Sequence, residues 1–244
     1  MSEQTHHDEF YGENADFFHS PLFRARHERD AKVVKRFTPP GARVLSLGCG
    51  EGGLELHLAA DVRHVLGIDL SAEAIELARR QAEDAGVHNL DYRQADVLET
   101  ALPTGSFDAV WGLAFLHHLP VSMVAPTLNR VHDWLRPGGR LVTIDPSSRR
   151  LVRHLAGLVK SSYEEHHSPD ERELDPEEVV TAVRAAGFSD VRVVWTDFAA
   201  GPLAWLRPTT PVWAARGVVA IDSALVKVPV IQKYSSGYAV TAVA

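Results

Sequence analysis

The chain has 244 residues, 45% of them hydrophobic and 23% charged, proportions that give a sizeable core and exclude disordered and fibrous classes. Its net charge of -7, with no long basic run, opposes a nucleic-acid partner. Cys49 is the only cysteine, which excludes an intramolecular disulfide and a multi-cysteine zinc cluster and suits a reducing cytoplasm.

In chain order, MSEQTHHDEF is acidic and lacks the basic start and apolar run of a secretory signal. Residues 1–40 read as an N-terminal arm with a helical pattern from near Ala15. From 42 to 145, β-branched apolar runs alternate with amphipathic helical patterns, the mark of successive βαβ units and a parallel sheet. Strands are expected at 43–47, 64–69, 90–94, 107–111 and 140–144. SAEAIELARRQAEDAG reads as a helix with Ser71 as N-cap and Gly86 as its stop. VAPTLNRVHDWLRPGG reads as a helix ended by Pro137, then a tight turn into the fifth strand. Residues 146–175 form a polar, proline-punctuated lid candidate. Asp175, Pro176 and Glu178 then supply an N-cap, a first-turn proline and a capping-box partner for a helix ending near Gly187. Strands are expected at 191–196 and 238–243, separated by an apolar insertion at 198–234. Its most apolar stretch, GVVAIDSALVKVPVI, is broken by Asp222 and Lys227, so no membrane span is expected. The whole reads as a single domain, 1–244, with 41–145 as its ligand-binding core.

VLSLGCGEGG, Val44 to Gly53, carries a strand into glycines and then into a helix, where bare backbone can approach a ligand. Gly48, Gly50 and Gly53 satisfy GxGxxG, and Asp69 follows Gly50 by 19 residues, where a ribose-binding acid belongs. On these features alone the loop serves NAD as well as any other nucleotide.

The stretch from about 42 to 194 resembles the class I S-adenosylmethionine-dependent methyltransferases. VLSLGCGEGG is similar to that family's first motif, GIDLS to its second and QADVLE to its third, and FDAVWGLAFLHHL and LRPGGRLVTID complete the set. The acid ending the third strand and the LRPGG turn are no part of the dinucleotide fingerprint. The resemblance implies a Rossmann-like, doubly wound, seven-stranded sheet, mostly parallel with the last strand antiparallel, and helices on both faces. It implies S-adenosylmethionine as cofactor and S-adenosylhomocysteine as product. By the same resemblance the cofactor is held by Gly48, Cys49, Gly50 and Gly52 of the loop, Asp69 and Leu70 at the ribose, and Asp96 and Val97 at the adenine. Gly112 and Leu113 offer backbone carbonyls to its ammonium group. Independently of the resemblance, the aromatic faces of Tyr11 and Phe10 suit closure over a sulfonium, with ordinary packing of the arm as the rival reading. One position departs from the pattern: Ser46 stands where the family usually has an acid that orders the loop.

Histidine is the residue type suited to taking a proton from an acceptor near pH 7. His117 and His118 follow the fourth strand and face the crevice outside the strand ends; of the two His118 is preferred, and structural packing is the rival reading. His154, His166, His167 and Asp145 invite a metal, but the histidine pairs read better as solvated loop residues, so none is expected. The acidic balance and WGLAFLHHL, in place of the Asn/Asp-Pro-Pro-aromatic run of base-amino methylases, favour a small-molecule acceptor over nucleic acid. Trp205 and Trp213 in 198–234 suit a pocket for an apolar metabolite, a sheet-edge cover or a homodimer contact, with plain core packing as the rival reading. The expected activity is methyl transfer to O, N or activated C of a small apolar metabolite. The alternatives are a non-catalytic S-adenosylmethionine sensor or assembly subunit, and an NAD-dependent oxidoreductase.

Overall fold

The computed structural model describes residues 20–151, 172–207 and 209–244. Their strands are β1 (Arg43–Leu47), β2 (His64–Asp69), β3 (Leu90–Gln94), β4 (Phe107–Leu113), β5 (Leu135–Pro146), β6 (Ser189–Asp197) and β7 (Gly237–Val243). They form one sheet in the order β3-β2-β1-β4-β5-β7-β6. The first five are parallel, and β7 runs antiparallel to both of its neighbours. β6 is therefore parallel to β5, and its last residue, Asp197, comes out at the same edge as the glycine loop. The chain reverses direction between β1 and β4 in the sheet order, which opens a crevice at the carboxyl ends of the strands.

Alternate residues along the strands feed two cores, as the two-residue period of a strand requires. Val44, Val65, Tyr92, Trp111 and Ile144 pack on one face with α1 (Pro21–Phe37), α2 (Gly53–Leu58) and α3 (Ala72–Asp84). Leu45, Phe107, Val110, Leu141 and Val240 pack on the other with α4 (Val121–Trp134) and α5 (Pro176–Ala185). Ser71 caps α3 by accepting from the Ala74 amide at 3.1 Å, and Gly86, at φ +65°, ends its last turn. Two further helices, α6 (Ala200–Leu206) and α7 (Val212–Leu225), occupy most of the apolar insertion at 198–234.

Three expectations are corrected. β5 is longer than 140–144: α4 stops at Trp134, and the backbone is already extended at Leu135, which pairs with Phe107 across a bulge. The LRPGG run belongs to this strand because the Gly138 amide finds the Ala244 carbonyl at 2.8 Å. Glu178 does not close a capping box on α5. Asp175 accepts from the Glu177 amide at 2.8 Å, while Glu178 is taken by the Arg172 guanidinium at 2.6 Å, a charge-assisted partner that a backbone amide cannot match. The strand expected at 191–196 extends to both sides, as Ser189–Asp197.

Candidate active site

The loop between β1 and α2 turns on three left-handed glycines: Gly48 at φ +59°, Gly50 at +52° and Gly52 at +83°. Two of these positions exclude a side chain by contact as well as by backbone. A Cβ on Gly48 would lie 2.8 Å from Phe115 Cδ2, and one on Gly52 would lie 2.5 Å from the Tyr92 hydroxyl. Gly53, the third glycine of the GxGxxG reading, has no such role: it begins α2, and a Cβ there would meet only contacts of 3.4 Å and more. Phe115 reaches this bed because Ala114, at φ +53°, turns the chain sharply after β4, its amide bonded to the Ile144 carbonyl at 2.7 Å. Phe115 also lies 3.5 Å from where a Cβ on Gly112 would be, so it spans β1 and β4.

Asp69 braces the loop. Its Oδ2 accepts from the Gly50 amide at 2.8 Å and its Oδ1 from the Ser71 amide at 2.9 Å. A carboxylate has about four acceptor positions, so both oxygens retain capacity for the hydroxyls of a sugar. Leu70 follows directly, its carbonyl accepting from Gln94 Nε2 at 3.2 Å. The Ala95 amide bonds the Asp69 carbonyl at 2.8 Å, which brings Asp96 and the buried Val97 alongside. Asp96 Oδ1 accepts from the Leu98 amide at 2.7 Å, the one side-chain hydrogen bond of this carboxylate among the described residues. Gly112 pairs with Leu47 of β1, and Leu113, which pairs with Ile144 of β5, ends β4. Gly48, Cys49, Gly50, Gly52, Asp69, Leu70, Asp96, Val97, Gly112 and Leu113 thus gather at one sheet edge. Tyr11 and Phe10, with His154, His166 and His167, lie outside the described residues.

Under the loop, Ser46 meets an acid that no sequence motif singled out. Ser46 Oγ and Glu55 Oε1 are directly hydrogen-bonded, both residues are buried, and Glu55 Oε2 has no partner among the described residues. Burial pushes the Glu55 carboxyl up to about 7, and the Asp69 and Glu51 charges act in the same direction. Burial, with the charges of Glu55 and Asp69, likewise raises the Cys49 thiol well above its ordinary value, so Cys49 serves as backbone and filler and not as a nucleophile.

The two histidines occupy a 3₁₀ turn, Leu116–His118. His117 is buried, and both its backbone amide and its Nδ1 reach Asp145 Oδ1, at 3.2 and 3.1 Å. Asp145 is itself buried near the end of β5. A neutral ring that donates from Nδ1 to this carboxylate presents Nε2 as an acceptor. The His118 ring lies 4.1 Å away, centroid to centroid. The carboxylate orients His117, and His118, the residue favoured from sequence, is its neighbour in the same turn. The signal for it was Asp145 at the end of LVTID, weighed there only as a metal ligand. Among the described residues no group of three or more His, Cys, Asp or Glu side chains has the spacing of a metal site. The described ends of the 146–175 segment meet beside this turn: Ser147 bridges Leu174, Arg149 pairs with Asp175 at 2.7 Å, and the Arg172 amide donates to the His117 carbonyl at 3.3 Å.

Above the same edge, α1, α6 and α7 pack through Leu22, Phe23, Ala200, Ala204 and Ala215. Charged groups hold this cap to the end of β6. Asp197 accepts from Arg26 at 3.0 Å, and the buried Asp222 accepts from the amides of Phe198, Ala199 and Ala200 at 2.8 to 3.2 Å.

Comparison with known proteins decides the family. Residues 44–139 match the methyltransferase-domain family. The chain is 33% identical over 185 residues to a ubiquinone biosynthesis O-methyltransferase of Xanthomonas axonopodis pv. citri, covering 72% of this chain and 74% of that protein. The chain belongs to the class I S-adenosylmethionine-dependent methyltransferases. A 27-O-demethylrifamycin SV methyltransferase of Amycolatopsis mediterranei is 38% identical over 108 residues, 43% of this chain and 39% of its own length. Among solved structures, an S-adenosylmethionine-dependent methyltransferase from Thermotoga maritima, described as a possible histamine N-methyltransferase, aligns over 98% of both chains at a TM-score of 0.70 and 16% identity, a likeness of fold. This methyltransferase takes S-adenosylmethionine as its cofactor, and the crevice fits it: a loop of left-handed glycines, two of which leave no room for a Cβ, one carboxylate at the end of β2 and another just past β3.

Proposed function

We propose that this methyltransferase moves the methyl group of S-adenosylmethionine to an oxygen, nitrogen or activated carbon of a small, apolar metabolite. The observation that carries the reading is the Asp69 carboxylate, held at the crevice by the amides of Gly50 and Ser71 with acceptor capacity left for a ribose. Asp69 and Leu70 would take the sugar, and Asp96 and Val97 the adenine. Gly48, Cys49, Gly50 and Gly52 would lie under the amino-acid tail, with the Gly112 and Leu113 carbonyls at its ammonium and Tyr11 as a closing aromatic. The bound cofactor supplies an electrophilic methyl on a sulfonium, whose sulfur leaves as a neutral thioether. Positioning of the acceptor then supplies much of the rate.

His117, oriented by Asp145, is the base we assign for an acceptor that must lose a proton, with His118 as its neighbour in the same turn. One relative is named as an O-methyltransferase of ubiquinone biosynthesis and another as a 27-O-demethylrifamycin SV methyltransferase. Their chemistry supports a hydroxyl on an apolar scaffold, entering under the cap of α1, α6 and α7. Residues 1–244 act as one domain in this reading, the cap and the 146–175 segment framing the acceptor. No described helix is long and apolar enough to cross a membrane, and the single Cys49 supports a cytoplasmic setting.

Incubation with methyl-labelled S-adenosylmethionine and organic-soluble metabolite extracts tests the activity. Label in an extracted small molecule is expected, with turnover lowered at least tenfold in His117→Ala and S-adenosylhomocysteine affinity unchanged. Label appearing only in nucleic acid or protein contradicts the reading.

A homodimer contact on 198–234 belongs to the same proposal. It is supported by the outer face of α7, where Trp213 is 79% and Ile221 61% exposed. Light scattering should give the mass of two chains and, for Trp213→Asp, of one. A single-chain mass for the wild type at tens of micromolar protein contradicts it.

A further inference from the structure

The Ser46–Glu55 pair is where this chain departs from its own family, and the geometry argues that the departure is compensated. Ser46 points to the α1, α2 and α3 side of β1, opposite to Leu45 and Leu47. Glu55 comes from the first turn of α2, three residues after Gly52, and its Oε1 closes on Ser46 Oγ. At 1% exposure, with Oε2 unpartnered among the described residues, this carboxyl is costly to bury, and its single bond to Ser46 offsets only part of that cost. Orphaned buried carboxyls mark sites where charge is held for a ligand.

We propose that Glu55, held by Ser46, is the loop-positioning acid of this methyltransferase, delivered from α2 instead of β1, and that its negative charge favours the cationic S-adenosylmethionine over the neutral S-adenosylhomocysteine. The inference rests on the cofactor assignment above. The groups facing Glu55 leave the cofactor as its natural counter-charge. They are Ser46 from β1, Cys49 and Glu51 from the loop, Asp69 from β2 and the Tyr92 hydroxyl from β3, neutral or acidic throughout. Glu51 is tied by Gln81 of α3 at 3.0 Å, and from α1 the half-buried His27 packs against Gly53 with its pKa lowered to about 3, hence uncharged. A sulfonium and an ammonium set against one carboxylate leave S-adenosylmethionine with a net positive charge, and S-adenosylhomocysteine lacks the sulfonium. Binding the first should pull Glu55 toward its ionised form and release its proton to solvent near neutral pH.

Calorimetric titration in two buffers of different ionisation enthalpy reads that proton directly. The wild type should release up to about half a proton per S-adenosylmethionine bound at about pH 7, less on binding S-adenosylhomocysteine, and bind the former more tightly at about pH 8 than at about pH 6. Glu55→Gln should abolish the release, weaken S-adenosylmethionine about tenfold and S-adenosylhomocysteine much less, while leaving the ligand-free protein at least as heat-stable at about pH 8. Ser46→Asp combined with Glu55→Ala should recover the preference for the cation. Wild-type binding without proton release overturns the inference, as does a Glu55→Gln protein that weakens for both ligands in step with lost heat stability, the mark of a purely structural role. A wild type that binds neither ligand overturns the cofactor assignment along with it.

Discussion

At the scale of single residues, the site is built by what cannot be placed there. Gly48 is required twice, once by its backbone and once by Phe115, whereas Gly86 has the same left-handed φ with nothing within 4 Å of a would-be Cβ. Alanine at Gly86 should cost about 1 kcal/mol, and at Gly48 about 2 to 4 kcal/mol, in chemical denaturation. Equal losses would mean that Phe115 yields and is no wall of the crevice. Asp69→Ala removes both the loop brace and the proposed ribose acceptor, so S-adenosylhomocysteine affinity should drop about 10- to 100-fold. Asp145→Asn keeps the shape but alters what His117 donates to. Turnover should fall while cofactor affinity holds, and an unchanged rate would leave the pair a packing contact. The glycines and Asp69 were legible because backbone freedom and strand-end acids leave marks at fixed spacing. Glu55 and Asp145 were not, because each acts through a neighbour 9 or 28 residues away that only the folded sheet brings near.

At the scale of elements, βαβ alternation and helix caps identified β1 to β4, α3 and α5 to within a few residues, since strand runs and N-cap chemistry are local. The 198–234 insertion was visible only as apolar, and its purpose lies in long-range contacts. The buried Asp222 interrupts an apolar helix face because it caps α6 from outside, accepting three consecutive amides. Asp222→Ala leaves those donors buried without a partner and should destabilise the cap by about 3 kcal/mol. Hydrogen exchange should then quicken in α6 and α1 while the sheet stays protected. Uniform exchange across the protein would show that the cap and core unfold as one unit.

For the whole molecule, two groups with large opposed shifts, His27 and Glu55, shape the pH response of the ligand-free protein near neutrality. His27 is driven from 6.5 down to about 3, chiefly by burial and then by Arg26, so stability is lost as pH falls through that window. Glu55 is driven from 4.5 up to about 7, so stability is lost as pH rises through its own. The two slopes oppose one another between roughly 4.5 and 6.5 and should give a plateau in melting temperature there. Glu55→Gln should tilt the plateau upward with pH, adding on the order of 3 kcal/mol by pH 7. A wild-type profile that climbs steadily from acid to neutral would place the Glu55 carboxyl in solvent. The central claim, that this crevice holds S-adenosylmethionine through Asp69, is tested most directly by a crystal structure with S-adenosylhomocysteine. The account requires both ribose hydroxyls on the Asp69 carboxylate and the amino-acid tail over Gly48 beside Gly112; an adenosine bound elsewhere, with Asp69 engaged only by Gly50 and Ser71, would contradict it.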